Sequence, residues 1–165
     1  MIERTLVLIK PDGVERGLIG EVIGRFEKAG LKVVGMKMTL VDEKFAKEHY
    51  TEDITKRRGE NVRNALLKYI VSGPVIAMVL EGIEAVEVVR KITGETEPKK
   101  AIPGTIRGDF AHASFKFVDK LDQAMRNIVH SSGSVKEAKD EVHLWFSEDE
   151  LFEYKTVLEK HMLHE

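Results

Sequence analysis

The chain has 165 residues, of which 42% are hydrophobic and 33% charged, with a formal net charge of -2 and no cysteine. This length suits a single domain over residues 1–165, and the lack of cysteine excludes disulfides and thiolate zinc sites. The small net charge excludes a general attraction to nucleic acid, and no apolar run approaches the roughly 18 residues of a membrane span.

The first part of the chain is predicted to form a strand, a helix and a second strand. Residues 4–10 are mostly apolar and favour an interior strand, which a Pro-Asp-Gly turn ends. This start is typical of a strand rather than of a secretory signal, and together with the absence of cysteine it favours a cytoplasmic protein. Apolar residues at helical spacing over residues 18–26, followed by Gly30, predict a helix, and residues 31–41 predict a strand.

Helices and a third strand are predicted for the middle of the chain. Residues 42–50 begin with an acidic turn that suits a helix, whereas residues 51–60 are polar and irregular and predict a loop. Helical spacing returns over residues 62–70. Residues 72–82 then predict a strand between glycines, and residues 83–94 predict an amphipathic helix that ends at a glycine.

The last part of the chain begins with a Pro- and Gly-containing stretch. Residues 95–110 contain two prolines and two glycines and predict an extended functional loop. Residues 111–125 are predicted as a strand and a short helix, and residues 126–132 as a last short strand. A Ser and a Glu at capping-box spacing predict a helix over residues 134–146, followed from residue 147 by a partly helical extension.

The order of these elements, roughly βαβααβαβα, predicts the α+β class. Pairs of strands are segregated from helices, which we expect on one face of the sheet, so a split βαβ arrangement is the natural solution.

Motifs of common phosphate and hydrolase sites are absent. None of the 13 glycines precedes a lysine and no two are two residues apart, which excludes a P-loop and the dinucleotide G-x-G-x-x-G signature. No G-x-S-x-G elbow surrounds Ser131 or Ser132, so a nucleophile would be a histidine.

His130 differs from the other histidines in its position. It follows an apolar strand and precedes a hydroxyl-rich turn, where side chains project into sites on sheet-based folds. On this stretch alone, a structural histidine is favoured over a reactive one. The others lie in polar or helical surroundings, where surface or packing roles are the default: His49, His112, His143, His161 and His164.

A neutral imidazole can attack phosphorus if its other nitrogen is held by an acceptor that fixes its tautomer and orientation. Glu141, in the helix after His130, could reach the imidazole or the neighbouring Ser132. A transferring phosphoryl group also needs cations around its oxygens. Each candidate cation alone is typical of a solvated surface charge, but together they suit a small triphosphate site: Lys10, Arg90 and Arg107.

Four blocks of the sequence together resemble the nucleoside diphosphate kinase family. They span residues 4–35, 72–82, 103–110 and 127–134, and the likeness covers nearly the whole chain. The resemblance implies a ferredoxin-like fold with a four-stranded antiparallel sheet and helices packed on it. It also implies ping-pong transfer of the γ-phosphoryl group of a nucleoside triphosphate to a nucleoside diphosphate, with Mg²⁺, through a phosphohistidine at His130. A homo-oligomer, a hexamer or a tetramer, is implied as well.

The resemblance also implies roles for further residues. Glu141 and Ser132 would orient His130, and Lys10 would act in catalysis as well as in nucleotide binding. The metal would be held mainly through the phosphates of the nucleotide. The residues that would contact the phosphates and the sugar are Lys10, Tyr50, Arg90, Thr96, Arg107 and Asn127.

The sequence departs from the family pattern at three places. Where the family has Pro-Phe-Phe, Val62 takes the position of the ring that stacks on the base, and residues 51–61 are longer than usual. The active-site turn, His-Gly-Ser-Asp-Ser in the family, reads His-Ser-Ser-Gly-Ser, so Gly133 replaces an acidic residue near the metal. Residues 111–125 form an extended segment that could widen an oligomer contact or cover the site.

A non-catalytic nucleotide-sensing or RNA-binding module of the same fold is the alternative. An RNA-binding sheet would carry exposed aromatic residues and basic flanks, but residues 32–40 and 75–80 contain no aromatic residue. A sensor needs no reactive histidine, and the retention of His130 with its surrounding cations argues against a decayed site. We therefore expect an active kinase that binds nucleoside di- and triphosphates and no specific nucleic acid.

Overall fold

The computed structural model describes residues 1–163, and its secondary structure follows the predicted alternation of strands and helices. The strands are β1 (Ile2–Ile9), β2 (Lys32–Thr39), β3 (Val75–Ile83) and β4 (Val129–Ser131). The helices are α1 (Pro11–Glu15), α2 (Ile19–Lys28), α3 (Glu43–His49), α4 (Glu52–Arg58), α5 (Glu60–Ile70), α6 (Ala85–Thr93), α7 (Ile106–Phe110), α8 (Phe115–Asp119), α9 (Val135–Trp145) and α10 (Glu159–Met162). Two short 3-10 helices cover Pro98–Lys100 and Glu148–Glu150.

The four strands form one antiparallel sheet in the order β2-β3-β1-β4. β1 pairs with β3 along its whole length, whereas it pairs with β4 only near its C-terminal end, where Leu8 lies opposite His130. β2 and β4 are therefore the edge strands. This order and the antiparallel pairing confirm the predicted ferredoxin-like α+β fold.

Helices cover both faces of the sheet, so the prediction of helices on one face is wrong. Leu6 and Leu8 of β1 pack with α3, α5 and α9 on one face. Val7 and Ile9 pack with α2, α6 and α7 on the other. Because successive side chains of a strand point to opposite faces, a strand covered on both sides is apolar throughout. This two-sided cover explains the unbroken apolar run of β1, where these four side chains are fully buried.

Two segments differ from the sequence-based prediction. Residues 51–60, predicted as a loop, contain α4, which ends at Gly59 with a φ of 93°. No residue of α4 is buried, so its sequence lacks the apolar spacing by which packed helices are recognised. Residues 111–125 contain the predicted short helix, α8, but no strand. α8 begins after Ser114, whose side chain accepts a hydrogen bond from the backbone N–H of Phe117, and this cap favours a helix at that point.

The segment after residue 147 packs beside the N-terminal half of β2. The backbone N–H of Phe152 donates to the Val34 carbonyl at 2.8 Å, and the Tyr154 hydroxyl donates to the Val33 carbonyl at 2.6 Å. The Lys32 ammonium lies 2.9 Å from the carboxylate of Glu159. Among residues 1–163, no helix has the length and apolar character that crossing a bilayer requires.

Candidate active site

A cleft of about 880 Å³ lies between α4 and α5 on one side and α9 on the other, next to β4. Its lining includes four of the predicted site residues: Tyr50, Thr96, His130 and Glu141. Four more are buried in the same part of the molecule: Lys10, Arg107, Asn127 and Ser132. The structure therefore brings most of the predicted set together, and Arg90 and Val62 stand apart from the cleft lining.

The His130 imidazole is held from α9. β4 carries His130, and α9, capped by Ser134, returns Glu141 to the ring, where Glu141 Oε1 lies 2.8 Å from His130 Nε2. The Ser132 hydroxyl donates to Glu141 Oε2 at 2.6 Å. Burial acts to raise the pKa of Glu141, but its contacts with His130, His49 and Ser132 hold the pKa below its usual range. A carboxylate here accepts a hydrogen bond from Nε2–H, which leaves Nδ1 of a neutral His130 with a free lone pair.

Lys10 extends from the end of β1 into a buried polar network. Its ammonium donates to Asn127 Oδ1 and, at 3.1 Å, to the Met125 carbonyl. The Asn127 amide in turn donates to the Thr96 carbonyl at 2.7 Å. Burial lowers the pKa of Lys10 to about 7, although the carboxylate of Asp12 opposes this shift. An anion bound beside Lys10 would restore its charge at neutral pH.

Arg107, in α7, is held by backbone carbonyls. Nη1 donates to Gly94 at 3.0 Å, Nη2 to Val129 at 2.7 Å and Nε to Asn127 at 3.3 Å. Burial lowers the pKa of Arg107 to about 10, so the guanidinium stays charged at neutral pH. Its hydrogen-bond partners in residues 1–163 include no carboxylate, which suits an anion-binding role.

Arg90 and Gly133 lie in a recess beside the cleft. Arg90, late in α6, is exposed and lines this recess with Gly133 and Ser134. The Glu137 carboxylate accepts a hydrogen bond from the backbone N–H of Gly133 at 3.1 Å. A Cβ atom at Gly133 would lie 2.6 Å from Glu137 Oε2 and 3.6 Å from Arg90 Nη1. The Glu137 carboxylate thus occupies the place where an acidic side chain at position 133 would begin.

Val62 is half-buried in α5 and does not line the cleft, whereas Leu66, one turn later, does. Arg58, at the end of α4, lines the cleft as well. Its guanidinium lies 4.3 Å from the centre of the Phe115 ring, in the extended segment 111–125. This cation–π contact joins α4 to that segment.

His49 is a cleft residue to which the sequence pointed only as a surface or packing histidine. Its ring centre lies 4.7 Å from that of His130, with the ring planes at 86°. The Trp145 indole N–H donates to His49 Nδ1 at 3.2 Å, and this nitrogen lies 3.7 Å from Glu141 Oε1. The sequence feature that could have identified His49 as a site residue is its position directly before Tyr50, itself a predicted site residue. His164 lies outside the described residues, and the remaining histidines are exposed: His112, His143 and His161.

One group of three side chains in the described part of the chain has donor atoms close enough to hold a metal ion. It comprises His49, His130 and Glu141, whose donor atoms lie within 4.8 Å of one another. These donors already pair among themselves and with Ser132 and Trp145. The group is therefore a hydrogen-bonded cluster that orients an imidazole, and a phosphoryl group could be accepted at its free nitrogen next to buried cations.

Comparisons with known proteins agree with this geometry. A family model described as nucleoside diphosphate kinase matches residues 3–151. The chain is 49% identical to the nucleoside diphosphate kinase of Borreliella burgdorferi, covering 94% of this chain and 93% of that one. It is 53% identical to that of Pyrococcus horikoshii, covering 92% and 90%.

Solved structures give the same result. A transition-state mimic of nucleoside diphosphate kinase from Borrelia burgdorferi, with bound vanadate and ADP, superposes with a TM-score of 0.97 at 48% identity, covering 99% of this chain and 98% of that one. A nucleoside diphosphate kinase from Halobacterium salinarum in complex with CDP gives a TM-score of 0.84 at 38% identity, covering 98% and 99%. Sequence and fold are therefore shared over nearly the full length of these proteins.

Proposed function

The chain belongs to the nucleoside diphosphate kinase family of phosphotransferases, and from this premise we propose that it transfers the γ-phosphoryl group of a nucleoside triphosphate through His130. The observation that carries the proposal is the 2.8 Å contact between His130 Nε2 and Glu141. This contact holds the proton on Nε2, so that Nδ1 presents its lone pair. A histidine in this state is a nucleophile that needs no separate base.

The reaction proceeds in two half-reactions that balance. In the first, the Nδ1 lone pair of His130 forms a bond to the γ-phosphorus, and the bond from this phosphorus to the β–γ bridging oxygen breaks. The nucleoside diphosphate leaves with that electron pair. The ring becomes cationic, and the Glu141 carboxylate stabilises it through Nε2–H. A second nucleoside diphosphate then takes the phosphoryl group by the reverse path, which gives ping-pong kinetics.

The buried cations supply the charge that phosphoryl transfer requires. Lys10 and Arg107 have no carboxylate hydrogen-bond partner, and both are positioned by backbone or amide acceptors before any phosphate arrives. Preorganised cations of this kind stabilise the oxygens of a transferring phosphoryl group. To the other phosphate and sugar contacts we assign Tyr50, Arg90, Thr96 and Asn127.

A divalent cation belongs to this chemistry, and we assign Mg²⁺, bound mainly by the nucleotide phosphates. On the protein side, Glu137 fits such a cation because its carboxylate lies in the cleft lining beside Gly133, and Mg²⁺ prefers oxygen ligands and retained waters. The ion would neutralise phosphate charge. The base would be held by apolar contact from α5, where Leu66 lines the cleft one turn after Val62, and this contact favours use of many nucleotides because every base has an apolar face.

A homo-oligomer, a hexamer or a tetramer, in the cytoplasm completes the proposal. Edge strand β2 and the residue after it expose three large apolar side chains, Met36, Met38 and Leu40, which supports a contact between subunits. The absence of cysteine supports a reducing compartment.

The test is incubation with γ-labelled ATP, followed by analysis of the protein. We expect an acid-labile, base-stable phosphoprotein that GDP discharges as GTP. His130→Ala should lose both the phosphoprotein and the transfer, whereas His143→Ala, at an exposed position of α9, should keep them. Undiminished turnover by the His130→Ala variant would exclude the proposed intermediate.

A further inference from the structure

We infer that His49 is a positioning residue for phosphoryl transfer, whose uncharged ring holds the His130 imidazole in the orientation in which it pairs with Glu141. The inference rests on the proposed function, because it concerns the same nucleophile. Three observations carry it: an edge contact with His130, a hydrogen bond from Trp145, and a buried ring nitrogen without a partner. The edge contact concerns packing, and the other two observations concern which nitrogen of His49 carries its proton.

Packing limits the rotation of His130. The two imidazole rings meet edge to face, with centres 4.7 Å apart and planes at 86°. The His49 ring is itself fixed, because it also packs against Tyr50 at 4.7 Å and against Trp145 at 5.4 Å. The His130 ring has one hydrogen bond in the described structure, to Glu141. His49 therefore supplies the second constraint on the plane of the His130 ring.

The hydrogen bond from Trp145 determines which nitrogen of His49 carries the proton. An indole N–H can only donate, so His49 Nδ1 accepts and is unprotonated. The proton of the neutral ring then lies on Nε2, which is buried and has no hydrogen-bond partner in residues 1–163. Buried polar groups are nearly always paired, and an orphan costs free energy. The fold thus retains an unfavourable group in a ring that packs against the nucleophile.

The charge state of His49 decides which ring Glu141 pairs with. Glu141 Oε1 lies 2.8 Å from His130 Nε2 and 3.7 Å from His49 Nδ1. A proton on His49 Nδ1 would compete with His130 for this oxygen. The groups that face His49 are His130 from β4, Glu141 and Trp145 from α9, and the adjoining Tyr50. With Trp145 occupying its Nδ1 lone pair, His49 leaves Glu141 to His130.

Burial reinforces this state. It lowers the pKa of His49 to about 3, with the neighbouring His130 adding to the shift and Glu141 opposing it. His49 therefore stays neutral over the pH range in which the nucleophile works. A residue of this kind acts on the rate of transfer through His130 and leaves nucleotide contacts unchanged.

The experiment compares His49→Phe and Trp145→Phe with the wild-type chain in single-turnover phosphorylation by labelled ATP across pH. His49→Phe keeps a ring but removes the acceptor, and we expect phosphorylation to slow by about 10- to 100-fold with an unchanged dissociation constant for ADP. Trp145→Phe frees His49 Nδ1 to take up a proton, so the rate should fall at acidic pH as the His49 ring becomes charged. The fall at acidic pH should be absent in the double variant, because the ring that replaces His49 cannot ionise.

Two further variants separate positioning from packing. His49→Asn supplies an uncharged acceptor for Trp145 and should recover part of the lost rate. His143→Phe, the same change at an exposed position of α9, should behave as wild type. A wild-type rate in His49→Phe, or a loss of rate matched by equal losses of ADP binding and thermal stability, would overturn the inference. If the wild-type chain forms no phosphoprotein at His130, the proposed function fails as well.

Discussion

Replacing Glu141 with Gln tests the geometry of the nucleophile most directly. The carboxylate accepts from both His130 Nε2 and the Ser132 hydroxyl, and Ser132 Oγ also accepts from the backbone N–H of Leu6. A Gln side chain keeps the shape but has one acceptor and one donor end. If its oxygen faces His130, its amide meets a hydroxyl that already accepts. If its amide faces His130, the imidazole must move its proton to Nδ1, and the attacking lone pair is lost.

The magnitude follows from the lost charge. A hydrogen bond to a charged acceptor contributes about 1.5–3 kcal/mol, and one between neutral groups contributes about 0.5–1.5 kcal/mol. The difference, roughly 1–2 kcal/mol, applies to the cationic ring that forms during transfer, and each 1.4 kcal/mol is about tenfold in rate. Competition between the two Gln orientations adds to this loss. We therefore expect Glu141→Gln to slow phosphoryl transfer by about 10- to 100-fold.

The assay is rapid-quench phosphorylation by labelled ATP at saturating nucleotide, together with a dissociation constant for ADP. The rate should fall and the dissociation constant should hold, because Glu141 has no hydrogen bond to the buried cations. Glu148→Gln, at an acidic position exposed after α9, is the matched control. An unchanged rate in Glu141→Gln would show that the α9 carboxylate does not orient His130.

Three other predictions concern charge, the base and the loop. Burial lowers the pKa of Lys10 to about 7, so the free enzyme loses this charge above that pH and ADP should bind more weakly there. Binding of ADP should then be accompanied by proton uptake at Lys10, which calorimetry in two buffers should detect and Lys10→Met should abolish. Leu66→Phe should lower the dissociation constants of ADP, GDP and CDP together, since Leu66 lines the cleft and stacking contributes about 1–3 kcal/mol per base; improvement for one base only would contradict it. Gly108→Ala should lower thermal stability because its Cβ would collide with the Ile102 carbonyl oxygen, whereas Gly20→Ala, with open space in α2, should not.

The sheet could be predicted from the sequence because its central strands are buried on both faces. The apolar runs of β1 and β3 are typical of interior strands, and the glycines and prolines near their ends indicate where the strands stop. α4 could not be predicted because none of its residues is buried, so no apolar spacing marks it. The strand expected within residues 111–125 is absent, and of its apolar residues Phe117 stays exposed.

Motifs named the residues of the candidate site, but they did not reveal the groups that hold those residues in place. Resemblance named Lys10, Arg107 and Asn127, yet the carbonyls that hold them come from distant loops that meet only in the folded chain. Val62 shows the opposite limit. Counting along the sequence assigned it to the base, but in the structure it is half-buried outside the cleft lining, to which Leu66 belongs.

At Gly133, where the sequence departs from the family motif, a carboxylate from elsewhere in the chain lies close by. In the turn after His130 the glycine replaces the acidic residue that the resemblance implies near the metal, which leaves the placement of the metal open. In the structure, Glu137 lies one helical turn later, accepts the backbone N–H of Gly133, and fills the volume beside it. The spacing of four residues across the start of α9 is the spacing at which side chains meet on one face, so this replacement was present in the sequence. We therefore expect Glu137 to supply the carboxylate that the turn lacks.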